Sequence, residues 1–291
     1  MSSVATRTIN SLAHRLSNTA GPRNIIWKHK QKHYPDTPVI TRLGSDLKVR
    51  VYPSDVIGRA IYLNGMFEVA ECHFVTSFLK PGMVFFDVGA NLGQYTLLAA
   101  QKIGPTGEVH SFEPSDRMFK ELTFNVTLNN FNDVCRLNNW AVSDTVGTAQ
   151  LSCRQAGAEV FGSLGSQDWA DGYPVTGYQQ VKTSTLDEYV TQHDIEQVDL
   201  IKMDIEGAEL LALQGAQQLL AEPEAPVIVL EMADVNTEGL GYRALETWDY
   251  LLAMGYQMYC FDQDGCICGL AKRPEDFTIA QNLVAAKRIP V

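Results

Sequence analysis

Apolar residues along the chain fall into short runs separated by longer stretches of helical period. Met83-Val-Phe-Phe86, Glu108-Val-His-Ser-Phe112, Val134 to Val142, Val198-Asp-Leu-Ile-Lys-Met203 and Ala225-Pro-Val-Ile-Val-Leu230 have the length and composition of buried strands. Between and after them the spacing predicts helices at about 93–103, 115–129, 185–193, 207–221 and 241–254. Strands alternating with helices of this length predict an α/β domain, a doubly wound and mostly parallel sheet with helices on both faces. The tail departs from the alternation. Tyr256 to Asp262 and Cys266 to Leu270 flank Gln263-Asp-Gly265, which predicts a C-terminal antiparallel hairpin appended to the parallel sheet.

Upstream, Val39 to Tyr52 alternates around Gly44-Ser-Asp46 and predicts a β-hairpin. Ser54 to Phe78 is expected to be mostly helical, with a break near Asn64-Gly65. The division that follows is an N-terminal extension over 1–64, with a basic helix and the hairpin, and a catalytic domain over 65–291. The least regular stretch is 148–183. Strands are expected at Thr148 to Cys153 and Gln179 to Thr183. The Gly/Ser/aromatic segment between them, carrying Trp169, Tyr173 and Tyr178, is expected to be a lid or substrate loop near 155–178.

The strand ending at Phe86 runs into Asp87-Val-Gly-Ala-Asn-Leu-Gly93 and then a helix, the order that builds a nucleotide-binding corner. Asn91 stands where the dinucleotide fingerprint would put its second glycine, and an acid, Asp87, precedes the first. A carboxylate beside a phosphate pocket would repel its ligand, whereas beside a cationic amino-acid group it attracts. The turn therefore points to S-adenosyl-L-methionine rather than NAD. Glu113, at the end of the next strand, is placed to accept both ribose hydroxyls of an adenosine.

Lys202-Met-Asp-Ile-Glu-Gly207 closes the fourth core strand and Glu231 the fifth. Ligands of open α/β sheets bind outside the carboxyl ends of strands, so Asp204, Glu206 and Glu231 should converge on the corner made by Asp87 and Glu113. Such a cluster could bind a cation, act as general base, or hold a polyhydroxylated substrate. Two structural readings compete: Glu206 could favour a helix N-terminus, and Lys202 could pair with a neighbouring acid. His110 is mid-strand and expected in the core.

Composition narrows the partners. At 45% hydrophobic and 20% charged the chain has the makings of a sizeable core. A net charge of −11 argues against nucleic acid as a partner, although residues 1–50 hold nine Lys/Arg against two Asp/Glu. Ile9, Leu12, Ala13 and Leu16 recur at helical spacing in that basic segment. Three expectations follow for it: a helix packed on the domain, a surface for peripheral contact with anionic lipid or a partner, or a transit peptide. The six cysteines read as core or strand thiols of a reducing, cytoplasmic compartment rather than zinc ligands. No apolar run approaches the roughly 18 residues of a membrane span, and no signal-peptide pattern is visible.

Taken together, Asp87-Val-Gly-Ala-Asn-Leu-Gly93, Phe112-Glu-Pro114, Ala141-Val-Ser-Asp144, Ser184-Thr-Leu-Asp-Glu188 and Ile201-Lys-Met-Asp-Ile-Glu-Gly-Ala-Glu209 resemble the FkbM family of S-adenosylmethionine-dependent methyltransferases, over about residues 65–262. The resemblance implies a class I methyltransferase (Rossmann-like) fold, in which a terminal antiparallel hairpin is the usual ending, and a domain that usually methylates a hydroxyl oxygen on sugars, glycolipids or polyketide products. Carried over residue by residue, it implies that Asp87, Gly89, Ala90, Asn91 and Gly93 surround the methionine part of the cofactor. It places Glu113 at the ribose and Asn139, Trp140 and Ala141 at the adenine. Lys202, Asp204 and Glu206 should face the transferred methyl group or the substrate. Asp204 is the expected base, with Glu206 and Glu231 as helpers; a divalent metal such as Mg is an open option. The small-molecule acceptor could instead be an amine, making the chain an N-methyltransferase. An NAD-dependent oxidoreductase and a non-enzymatic nucleotide-binding protein of the same fold are the remaining alternatives.

Overall fold

Val84–Val88 (β3) sets the plan of the molecule, because successive side chains of a strand enter opposite layers. Phe85 belongs to one hydrophobic core, while Phe86 and Val88 belong to a second on the other face of the sheet. The same split recurs at Leu200 against Ile201 and Met203, and at Val229 against Ile228 and Leu230. A strand buried on both faces needs an unbroken apolar run. The computed structural model describes residues 21–154, 162–164 and 174–289.

The main sheet has eight strands in the order β12-β11-β13-β10-β9-β3-β4-β5. Here β4 is Glu108–Phe112, β5 Cys135–Asn138, β9 Leu200–Met203 and β10 Val227–Met232. These four and β3 run parallel. The strands β11 (Gln257–Phe261) and β12 (Ile267–Leu270) form the expected hairpin at the edge. The last strand, β13 (Gln281–Ala286), inserts antiparallel between β10 and β11. Its Ala-rich sequence carries little strand propensity, so it shows itself only through burial of Leu283 to Ala286.

Two other elements differ from expectation. The run from Val134 to Val142 is not one strand. It breaks at Asn139, whose side-chain amide donates to the carbonyls of Glu113 and Pro114 (3.0 and 3.3 Å). Ala141–Val142 (β6) then joins a separate three-stranded sheet with Gly147–Arg154 (β7) and Val175–Ser184 (β8), in the order β6-β8-β7. The helix expected at 207–221 is two, Glu209–Gln214 and Gln217–Ala221, broken at Gly215, where a Cβ would lie 2.1 Å from the Ser143 carbonyl oxygen.

The expected N-terminal hairpin is β1 (Val39–Leu43) with β2 (Leu47–Val51). It is followed by α2 (Val56–Asn64) and α3 (Val69–Phe78), separated at Gly65 as the sequence suggests. These elements share the core of Phe85 and Leu200. So does the first described helix, α1 (Pro22–His33), through Trp27, which is fully buried with its ring 4.9 Å from that of Tyr62. Ile9, Leu12, Ala13 and Leu16, and Trp169 and Tyr173 of the expected substrate loop, lie outside the described residues. Tyr178 is exposed on β8. Among the described residues no helix is long and apolar enough to cross a membrane. The thiols of Cys72 and Cys135 are buried, whereas Cys266 and Cys268 are exposed.

Candidate active site

A cleft lies at the carboxyl ends of β3, β4 and β9, the place where open α/β sheets take their ligands. Its floor is the turn after β3. Gly89 (φ +85°), Asn91 (φ +50°) and Gly93 (φ +96°) are all left-handed. A Cβ on Gly89 would lie 2.0 Å from the Asp204 carbonyl oxygen, so the turns after β3 and β9 touch backbone to backbone.

Glu113, just past β4 and 6% exposed, ties this floor to the neighbouring turn. One carboxylate oxygen accepts the Asn91 N–H and the other the Ser115 N–H, both at 2.8 Å. Each oxygen keeps capacity for a second bond, which is what a pair of vicinal hydroxyls requires. Burial pushes this carboxyl up to about 7, against the pull of the two N–H donors. Beside it Trp140, half-buried and packed edge-on against Phe112 (4.8 Å between centroids), forms the wall between this cleft and a second one lined by Asn139, Gln179 and Lys182.

Lys202 and Asp87 pair across β9 and β3, on the face that carries the N-terminal layers. That layer explains why a lysine inside a strand is only 1% exposed. Its ammonium lies 3.3 Å from Asp204 Oδ2 and 4.0 Å from Glu68 Oε2, and makes no hydrogen bond. Burial alone would lower its pKa. Asp204, Glu68 and Glu231 outweigh that and keep the ammonium charged.

Asp204 is the accessible acid of the cluster, with a side chain 25% exposed on the cleft lining. Glu206 is left-handed (φ +53°) and buried. A single amide, Asn236 Nδ2, donates to Glu206 (3.0 Å) and to Glu231 (3.2 Å). Burial first, then the neighbouring acids, push both carboxyls well up. The helix start is served by Glu209, which accepts the N–H groups of Ile205 and Gly207 (3.1 and 3.3 Å). Glu206 is thereby left to face the cleft. Among the described residues no three His, Cys, Asp or Glu side chains are disposed to share a metal ion.

Of the residues singled out from the sequence, Gly89, Ala90, Asn91, Glu113, Trp140, Ala141, Lys202, Asp204 and Glu206 line the cleft. Gly93 supports the turn against Leu122, Asn139 faces the second cleft, and Glu231, off the lining, accepts a hydrogen bond from the Asn236 amide. Asp87 is 1% exposed, off the lining, and accepts a 2.6 Å hydrogen bond from the Thr96 hydroxyl. His110 is a core residue, bonded to the Tyr189 hydroxyl. Sequence reasoning missed Glu68, Tyr95 and Asn236. Asn236 had a visible signal, its place just beyond a strand end; Glu68 had none, because its approach is a contact across the fold. Of the expected substrate loop, Gly162 and Leu164 line the cleft and Ser163 donates to the Glu206 carbonyl (2.9 Å).

This strand order, with a carboxylate at the end of the second core strand and an acidic cluster past the fourth, is that of the class I S-adenosylmethionine-dependent methyltransferase-like fold. Residues 87–258 match the Methyltransferase FkbM domain, and the chain belongs to that family, whose methyl donor is S-adenosylmethionine. A similar curated protein is the 31-O-demethyl-FK506 methyltransferase FkbM of Streptomyces tacrolimicus, 29% identical over 185 residues, covering 54% of this chain and 68% of that protein. Solved structures with some likeness include an S-adenosylmethionine-dependent O-methyltransferase from Thermotoga maritima (TM-score 0.42, 13% identity, 85% of this chain and 76% of that one). Another is Aeropyrum pernix fibrillarin with bound S-adenosyl-L-methionine (TM-score 0.40, 13% identity, 77% and 80%).

Proposed function

We propose that the chain methylates a hydroxyl oxygen of a small molecule, a sugar, glycolipid or polyketide-type alcohol, with Asp204 as the base. What S-adenosylmethionine supplies when bound is an electrophilic methyl carbon on a sulfonium. Glu113 would hold the ribose hydroxyls, the turn 89–91 the donor's middle, and Trp140 with Ala141 the adenine. An alcohol is a poor nucleophile at neutral pH and needs a positioned proton acceptor as its oxygen attacks in line. The observation that carries the assignment is the contrast among the acids. Asp204 is exposed to the cleft beside the Lys202 ammonium, whereas Glu206 and Glu231 are bridged by Asn236 and held toward their neutral forms. A neutral Glu206 carboxyl on the cleft lining would both donate and accept hydrogen bonds, which suits a polyhydroxylated molecule. Peripheral contact of the basic N-terminal segment with anionic lipid would bring a glycolipid acceptor to hand. Its support in the described residues is that Ile25 and Ile26 of α1 are 70% and 48% exposed beside Lys28, Lys30 and Lys32.

The test is methyl transfer from labelled donor to a panel of sugars, glycolipids, polyketide alcohols and amines. Label should enter an ether linkage of an alcohol; label confined to amines would overturn the assignment in favour of N-methylation.

A further inference from the structure

Glu68 enters the cleft from outside the matched domain, and three side-chain contacts fix it there. The Gln94 amide clamps the preceding residue from both sides, accepting the Phe67 N–H (2.8 Å) and donating to the Phe67 carbonyl (2.9 Å). The Tyr95 hydroxyl donates to Glu68 Oε2 at 2.8 Å. Glu68 itself is left-handed (φ +47°), a conformation a glutamate keeps only when its surroundings hold it there. Facing it at 4.0 Å is the Lys202 ammonium, buried and without a hydrogen bond.

We propose that Glu68 and Lys202 form the subsite for the amino-acid end of the methyl donor, Glu68 taking the α-ammonium and Lys202 facing the carboxylate. The proposal rests on the cleft being the donor's site. An acid and an ammonium 4.0 Å apart, too far for a direct hydrogen bond, present the charges that an α-amino acid complements when it lies across them in the opposite sense. The zwitterion adds no net charge to a buried site and gives the Lys202 N–H groups the acceptors they lack. The N-terminus of the helix carrying Gln94 and Tyr95, Gln94–Ile103, favours a carboxylate at the same place. Asp87, the acid that the sequence places beside the donor's cationic end, is turned off the cleft to Thr96, and Glu68 occupies the lining in its stead.

Isothermal titration with three ligands reads this: S-adenosylhomocysteine, its analogue with hydrogen in place of the α-ammonium, and methylthioadenosine, which lacks the amino-acid end. The native protein should bind the deamino analogue at least about ten-fold more weakly than S-adenosylhomocysteine, the loss expected for a charge-assisted hydrogen bond. Glu68→Gln should lose a similar factor for S-adenosylhomocysteine while binding the other two as the native protein does. Undiminished S-adenosylhomocysteine binding in Glu68→Gln overturns the proposal, and so does a native protein that does not distinguish the first two ligands. That second comparison needs no variant, so it decides even where Glu68→Gln fails to fold. A native protein that binds none of the three removes the donor assignment of the cleft, and the proposal with it.

Discussion

Asp204 is one residue past the last position of β9, and the role of base proposed for it turns on what surrounds its carboxylate. Lys202 at 3.3 Å supplies the countercharge, while its partial exposure lets an acceptor approach. Asp204→Asn keeps the shape and removes the proton acceptor. Turnover should fall by about 10²–10⁴, the usual contribution of a positioned base, with S-adenosylhomocysteine affinity nearly unchanged. Single-turnover rates beside titration separate the two effects; near-native turnover would move the base to Glu206 or Glu231. At this scale the sequence is legible where placement follows position along a strand, as at Glu113 and Asp204, which both line the cleft. Side-chain direction is less so. Asp87 stands at the right place in the turn yet alternates with Val88 into the layer behind it, and Glu68 depends on a left-handed φ that no residue type announces.

The elements at the cleft are held by close backbone approaches. Gly89 lets the turn after β3 rest on the Asp204 carbonyl, and a Cβ there would sit at 2.0 Å with φ +85°. Gly89→Ala should therefore cost about 3 kcal/mol or more, from strain and forced separation of two strand ends. The urea midpoint at constant slope measures it; a cost below about 1 kcal/mol would show that the two turns part easily. Continuous apolar runs made β3, β9 and β10 legible, and glycines marked the helix break at Gly65 and the hairpin turn at Gly265. The hidden features depend on distant partners: β13 is a strand because β10 and β11 flank it, and the chain breaks at Asn139 because Glu113 and Pro114 offer carbonyls.

Across the whole molecule, the buried acids couple stability to pH. Burial raises Glu113 and Glu209 to about 7 from 4.5, and Asp87 to about 6 from 3.8. A carboxyl raised on folding favours the folded state fully below its unfolded pKa, and that contribution is lost as pH rises through the folded value. His110, lowered to about 4 by burial, acts in the opposite sense, its contribution lost as pH falls below 6.5. Glu68, raised to about 7, Asp55, raised to about 6, and Glu206 and Glu231, raised well above the usual value, act in the same sense as Glu113. Together these acids outweigh one histidine, so the Tm of the ligand-free protein should fall between pH 5 and pH 8. A flat or rising Tm over that range would show that these groups are solvated. Bound S-adenosylhomocysteine should flatten the decline, because it supplies partners for the ionised forms.

The central claim is that the cleft between Glu113 and Asp204 is the methyl donor's site. Isothermal titration of the native protein and Glu113→Ala with S-adenosylhomocysteine and with NAD tests it most directly. The native protein should bind S-adenosylhomocysteine and show no heat with NAD, and Glu113→Ala should weaken the former by about 1.5–3 kcal/mol, the loss of hydrogen bonds to a charged group. Equal S-adenosylhomocysteine affinity in the two proteins, or preferential binding of NAD, would contradict it.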